Sequence, residues 1–405
     1  MIFFLLDFIR HFLGIKVPSV FTYYSTRMML AAITSLVLSI FLGPLCIRYL
    51  SKLKAGQSIR SDDQVKKATP SMGGVLILSC MLISMFLWMD LTHIFTLILF
   101  LITVSLGLIG GYDDYLKLRY KNVKGLPGKK KFLLQMMIGG FVALYFLSPM
   151  VNQSLHTGDW YSPPIIKEHI VVKQYATEYT TVQTSLVPTN VSLKEFASRI
   201  YLPFFKDPVL RLTGFMTIIA ALFIIFVIAG ASNAVNLTDG LDGLATGCLI
   251  MVAACLALIA FLSNNIDFAT YLNILYIEGS GEIAIYLSAF IGACIGFLWY
   301  NGHPAQIFMG DTGSLALGGV IGVSAVLLKR EFLLGLVGGI FVVEALSVIL
   351  QVASYRLRNK KRIFLCAPIH HHFEMKGWPE TKVVIRFWII GLLLAIIGLA
   401  SLKFQ

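Results

Sequence analysis

Five short polar stretches interrupt an otherwise apolar chain, and their residue types are those that handle phosphate, metal ions and protons. Gly110-Gly111-Tyr112-Asp113-Asp114 closes a hydrophobic run with two adjacent acids. Negative charge at the carboxyl end of a helix opposes its dipole and invites a cation. Neighbours on a helix point about 100° apart, so the two acids would divide their labour. Asn233, Asn236, Asp239 and Asp242 follow a later run, with Gly240 and Gly243 permitting close approach of a ligand to the backbone. Asp239 and Asp242 would share a face if helical, although an N-cap role for Asp239 accounts for part of the pattern. The stretch from Asn301 through Phe308 to Asp311-Thr312-Gly313 suits an anion near a helix start, with N-capping by Asp311 as the plainer alternative. Oxygen donors without cysteine point to Mg²⁺ or Mn²⁺ rather than zinc.

The fourth stretch, His370-His371-His372, sits in a run from Pro368 to Pro379. Three adjacent imidazoles cannot all face one ion without unusual backbone, so proton handling or phosphate binding is the better expectation. The fifth is basic. Lys66 and Lys67 precede the turn Thr69-Pro70-Ser71-Met72-Gly73-Gly74, and Lys124 to Lys131 precede another hydrophobic run. Charge beside exposed backbone and hydroxyls suits phosphate.

What must position these residues is a membrane bundle. The 405 residues are 57% hydrophobic and 13% charged, with mean hydropathy +0.79. Windows long enough to cross a hydrocarbon core of about 30 Å recur near 27–49, 72–90, 94–111, 132–149, 212–231, 241–262, 282–300, 314–328, 332–354 and 384–402. The expected fold is all-α and polytopic, a single transmembrane domain over 1–405 with ten spans. An interfacial helix is expected over 1–20 and an external segment, a strand pair or irregular cap, over 150–211. Spans alternate sides, which groups loops 50–71, 112–131, 232–240, 301–313 and 355–383 together. Most of the Lys and Arg lie in these loops, which marks them as cytoplasmic and places both termini outside. The net charge of +12 is thus read as topology, not as a nucleic-acid surface. All five polar stretches fall on the basic side. Six cysteines without CxxC spacing imply neither a disulfide framework nor a zinc site. A transporter would carry its acids near mid-span rather than at the ends on one side.

A membrane-interface site of carboxylates, lysines and histidines suits phosphoryl transfer between two anions. Over nearly its whole length the chain resembles the polyprenyl-phosphate N-acetylhexosamine-1-phosphate transferases, through Asp113-Asp114, Asn236 to Gly243 and Asn301 to Gly313. The run Pro368 to Pro379 is similar to the signature of the phospho-N-acetylmuramoyl-pentapeptide transferases within that superfamily. The resemblance implies transfer of phospho-MurNAc-pentapeptide from its UDP carrier to undecaprenyl phosphate in the bacterial cytoplasmic membrane, a Mg²⁺ cofactor and a homodimer. A sister transferase moving another HexNAc-1-phosphate is the alternative, disfavoured by the histidine run. The resemblance assigns Asp311 and Asp114 to the metal, and Asp113 to deprotonating or positioning the lipid phosphate. His370 joins these three as a catalytic candidate. It assigns Lys66, Ser71, Lys131, Asn236, Asp239, Asp242, Asn301, Phe308, His371 and His372 to substrate binding. The 150–211 segment is longer than the resemblance leads one to expect.

Overall fold

A backbone in hydrocarbon has no water to satisfy its amides, so each apolar window must close its hydrogen bonds within a helix. The computed structural model describes residue 12 and residues 19–53, 69–119, 125–175 and 182–403. Among the described residues, nine helices are long and apolar enough to span: α1 (Tyr24–Lys52), α3 (Ile94–Arg119), α4 (Gly128–Leu147), α7 (Thr217–Thr238), α8 (Leu244–Ser263), α10 (Ser280–Asn301), α11 (Gly310–Leu327), α13 (Gly339–Leu357) and α15 (Glu380–Ala400). The tenth window is the shorter apolar helix α2 (Gly74–Trp88). The architecture is therefore all-α and polytopic. One window is not a single helix: 332–354 divides at Gly338 into α12 (Glu331–Val337) and α13.

Centrality follows burial. Helix α11 is buried along almost its whole length and packs on α3 and α7, while α10 packs on α1 and α8. Helix α1 instead leaves Met29, Ile33, Val37, Phe41 and Leu45 exposed at helical spacing, a stripe suited to lipid. Small polar groups tie the bundle internally. Asn233 Nδ2 donates to Gln135 Oε1 (2.6 Å), Gln135 Nε2 to Ser232 Oγ (3.2 Å), and Ser232 Oγ to the Leu315 carbonyl (2.8 Å), linking α4, α7 and α11. Such chains satisfy groups that would otherwise be costly in an apolar interior.

Several helices outrun their hydropathy windows. Asp113 and Asp114 lie within α3, which continues to Arg119, and Asn233 and Asn236 lie within α7. The expected loops 112–131, 232–240 and 301–313 are correspondingly shorter, because the polar residues closing each window find partners within the bundle: Asp114 and Asn236 on α11, Asn233 on α4 and Asn301 on α8.

Between α4 and α7 lie α5 (Pro149–Leu155), an antiparallel hairpin of β1 (Ile166–Tyr175) and β2 (Val182–Val191), α6 (Leu193–Ser198), and the short pair β3 (Arg199–Ile200) and β4 (Leu210–Arg211). The hairpin register pairs Ile166 with Val191, and β1 also pairs with β5 (Tyr276–Ile277) through Ile166 and Ile277. Arg199 fastens this segment, donating to Glu168 (2.7 Å) and Glu195 (2.6 Å). The interfacial helix over 1–20, apart from residues 12, 19 and 20, and Lys66 lie outside the described residues. Short helices α9 (Ile266–Tyr271) and α14 (Ile369–Met375) complete the fold.

Candidate active site

Three helix ends converge to build the site. Helix α3 delivers Asp113 and Asp114, α11 opens with Asp311, and α7 ends beside them with Asn236. Close crossing of α3 and α11 requires glycine: a Cβ on Gly110 would lie 2.1 Å from the Asp311 carbonyl oxygen. Gly310 turns the chain into α11 at φ +73°, a conformation that favours glycine. A Cβ there would also meet Asp114 Oδ2 at 2.8 Å.

Carboxylate oxygens of Asp113, Asp114 and Asp311 all lie within 4.8 Å of one another. Lys117 Nζ bridges Asp113 Oδ2 (2.6 Å) and Asp311 Oδ2 (2.8 Å), and Lys131 Nζ bridges the same oxygens at 3.2 and 2.7 Å. Three carboxylates against two ammonium groups leave one uncompensated negative charge. Asp113 Oδ1 accepts from the Leu126 amide (2.6 Å), anchoring the segment between α3 and α4. Asp114 Oδ2 accepts from the amide (2.9 Å) and hydroxyl (2.6 Å) of Thr312. Asn236 spends both amide hydrogens, on Asp311 Oδ1 (2.6 Å) and Ser314 Oγ (2.8 Å), so it orients Asp311 directly. The group is an oxygen-only donor set with residual negative charge, which fits a hard divalent cation.

Asp239 follows the last residue of α7. Burial, then the neighbouring Asp311 and Asp114 charges, push its carboxyl up to about 7. An acid raised above its unfolded value of about 3.9 contributes stability that is present below that pH and lost as pH rises through 7. Asp239→Asn should therefore flatten the fall in melting temperature between about pH 4 and pH 7. A variant whose melting temperature keeps the wild-type pH slope would refute this.

The remaining sequence candidates take separate places. Neither acid is an N-cap: α11 is capped by Met309 and α8 by Gly243. Asp239 and Asp242 do not share a helical face, because residues 239–243 form a turn. Asp242 Oδ2 instead meets His303 Nδ1 (3.0 Å) and accepts from the Ala305 amide (3.0 Å), while the Asp242 amide donates to Glu380 Oε1 (2.8 Å). Ligand atoms of Asp242, His303 and Glu380 also lie within 4.8 Å of one another, and these bonds staple two turns to the start of α15. Asn301 is a buried brace, donating to the Ile307 carbonyl (2.9 Å) and accepting from Thr246 (2.9 Å). Phe308 is half-buried, and its backbone pairs with Pro70 (2.9 Å) and Gly73 (2.8 Å), beside buried Ser71. The histidines lie on α14 and take different polar partners, although the His370 and His371 rings stay 4.2 Å apart at their centroids. His370 is fully buried, His371 Nδ1 meets Glu374 (2.6 Å), and His372 Nδ1 accepts from the Leu365 amide (3.1 Å).

Sequence reading passed over Lys117, Thr312, His303, Glu344 and Glu380 as individual site residues. Lys117 had a signal, since it stands four residues after Asp113 on one helix. Glu344 had only its rarity within a span.

Comparison with known proteins shows the family. Residues 95–329 match the model of glycosyl transferase family 4, and residues 66–78 match phospho-N-acetylmuramoyl-pentapeptide-transferase signature 1. A phospho-N-acetylmuramoyl-pentapeptide-transferase of Protochlamydia amoebophila (strain UWE25) is 66% identical over 100% of both chains. Proteins of the same name from Thermodesulfovibrio yellowstonii and Brachyspira hyodysenteriae are 44% and 43% identical, each over 96% of both chains. With a carboxylate cluster at the junction of α3, α7 and α11 and full-length relatives of one name, this chain belongs to the phospho-N-acetylmuramoyl-pentapeptide-transferase family.

Proposed function

We propose that this chain transfers phospho-N-acetylmuramoyl-pentapeptide from its UDP carrier to undecaprenyl phosphate, giving lipid I and UMP for peptidoglycan synthesis. The observation that carries the reading is 66% identity along the full chain to a relative bearing that name. Asp113, Asp114 and Asp311, gathered beside Lys117 and Lys131, supply the chemistry.

A phosphate oxygen of the lipid bonds to the sugar-linked phosphorus. The bond from that phosphorus to the bridging oxygen breaks, and UMP leaves with the electron pair. Both reactants are anions, so positioning and charge compensation dominate catalysis. Lys117 and Lys131, held by Asp113 and Asp311, present two ammonium groups to phosphate oxygens. Asp113 orients the lipid phosphate through them. Asp311 and Asp114 would hold a Mg²⁺, which when bound offsets charge on the phosphates and the departing oxygen. We assign the donor pocket to Lys66, Ser71, Asn236, Asp239, Asp242, Asn301, Phe308, His371 and His372, with the half-exposed Phe308 ring suited to stack on uracil. Helix α14 and the turns around 239–243 and 302–309 border it.

The basic loops support a site facing the cytoplasm, with both termini and the β hairpin on the other side of the cytoplasmic membrane. The family resemblance supports a homodimer. A turnover assay with undecaprenyl phosphate and Mg²⁺ tests the reading. UDP-MurNAc-pentapeptide should release UMP at least about tenfold faster than UDP-GlcNAc. Faster release from UDP-GlcNAc would favour the sister transferase.

A further inference from the structure

One buried ionisable pair has no part in the reaction as described. Glu344 stands within the apolar helix α13 and His370 opens α14, and both are 0% exposed. His370 Nδ1 lies 3.1 Å from Glu344 Oε1. The contact is close enough for an ion pair but off the angle of a hydrogen bond, and among the described residues neither group has another hydrogen-bond partner. Catalytic hydrogen bonds are often misaligned until substrate binds.

The opposite edge of the ring abuts backbone. A Cβ placed on Gly240 would lie 2.4 Å from His370 Nε2 and 3.0 Å from Cε1. The imidazole is thus wedged between the Glu344 carboxylate and the turn that carries Asp239 and Asp242. Those two acids face different partners: Asp239 feels the charges of Asp311 and Asp114, and Asp242 holds His303 and Ala305. Whatever fixes Gly240 therefore sets where Asp239 stands beside the carboxylate cluster and where Asp242 stands beside the His303 turn.

A carboxylate inside a span is costly, and an apolar residue of similar volume would fill the space more cheaply. Packing alone does not account for Glu344. We propose that Glu344 is a positioning residue of the donor site: it holds His370 at Nδ1 and seats the ring on Gly240, setting the separation of Asp239 from Asp242. The proposal rests on the transferase reading above. Protonation at Nδ1 directs the ring toward Glu344, as carboxylates orient histidine in other sites.

A double-mutant cycle on the full-length protein tests it, reading KM for UDP-MurNAc-pentapeptide, kcat and melting temperature. Glu344→Met should raise the donor KM about tenfold or more. Glu344→Gln, whose carbonyl can take the place of the carboxylate oxygen beside Nδ1, should stay within about threefold of wild type. In a His370→Phe background, Glu344→Met should add no further change. A full additional penalty there, or a wild-type KM for Glu344→Met, would overturn the proposal.

Selective ¹⁵N-histidine NMR of the wild type decides the point even if Glu344→Met does not fold. A His370 ring protonated at Nδ1, alone or with Nε2, is the expected result, and protonation at Nε2 alone overturns it. This measurement is independent of turnover. A wild type that releases no UMP would defeat the transferase reading while leaving the tautomer result to stand or fall by itself.

Discussion

Asp311→Asn should lower UMP release by about 10³-fold while leaving the melting temperature within a few degrees of wild type. Asp311 is the residue on which the site's other groups converge. It receives Lys117 and Lys131 on Oδ2 and Asn236 on Oδ1, and it lies against Asp114 through its own amide (3.3 Å). An amide of the same shape can keep a carbonyl toward Asn236. Its NH₂ would then face two ammonium groups, which also donate, so both lysines lose Asp311 and keep only Asp113. The charge for holding a divalent cation falls by one at the same time. The side chain is 16% exposed, and Lys117, Lys131 and Asp114 each keep a second partner, so the fold should survive its replacement. Near-normal turnover in this variant would remove Asp311 from the reaction.

Chelation should be almost as severe. Withdrawal of divalent ions is expected to reduce turnover by at least about 10²-fold, and Mg²⁺ should restore it. Recovery should be complete, because Lys117 and Lys131 already offset two of the three carboxylate charges and can hold the cluster together meanwhile. Asp114→Asn should raise the Mg²⁺ concentration needed for half-maximal turnover by roughly 10–100-fold. Turnover unaffected by chelator would rule out the metal assignment, whatever the fate of the substrate assignment.

The spans were legible because hydrocarbon leaves the backbone a single solution, a helix of about 20 apolar residues. Their ends were less so. Asp113 and Asn236 read as loop residues because hydropathy falls there, yet both lie in helices, since Lys117, Lys131 and Asp311 repay their desolvation across the bundle. The break at Gly338 was equally hidden within one apolar window.

Residue type and spacing by themselves determined that acids, lysines and histidines gather at span ends on one side, and that oxygen rather than sulfur would meet any metal. Tertiary structure alone decided which of them meet. Asp113, Asp114, Asp311, Lys117, Lys131 and Asn236 form one cluster, Asp242 joins His303 and Glu380 in another, and His370 turns inward to Glu344. Contacts between residues on different elements, such as Lys117 with Asp311 or His370 with Glu344, depend on how helices cross and rotate, and no local periodicity encodes that rotation.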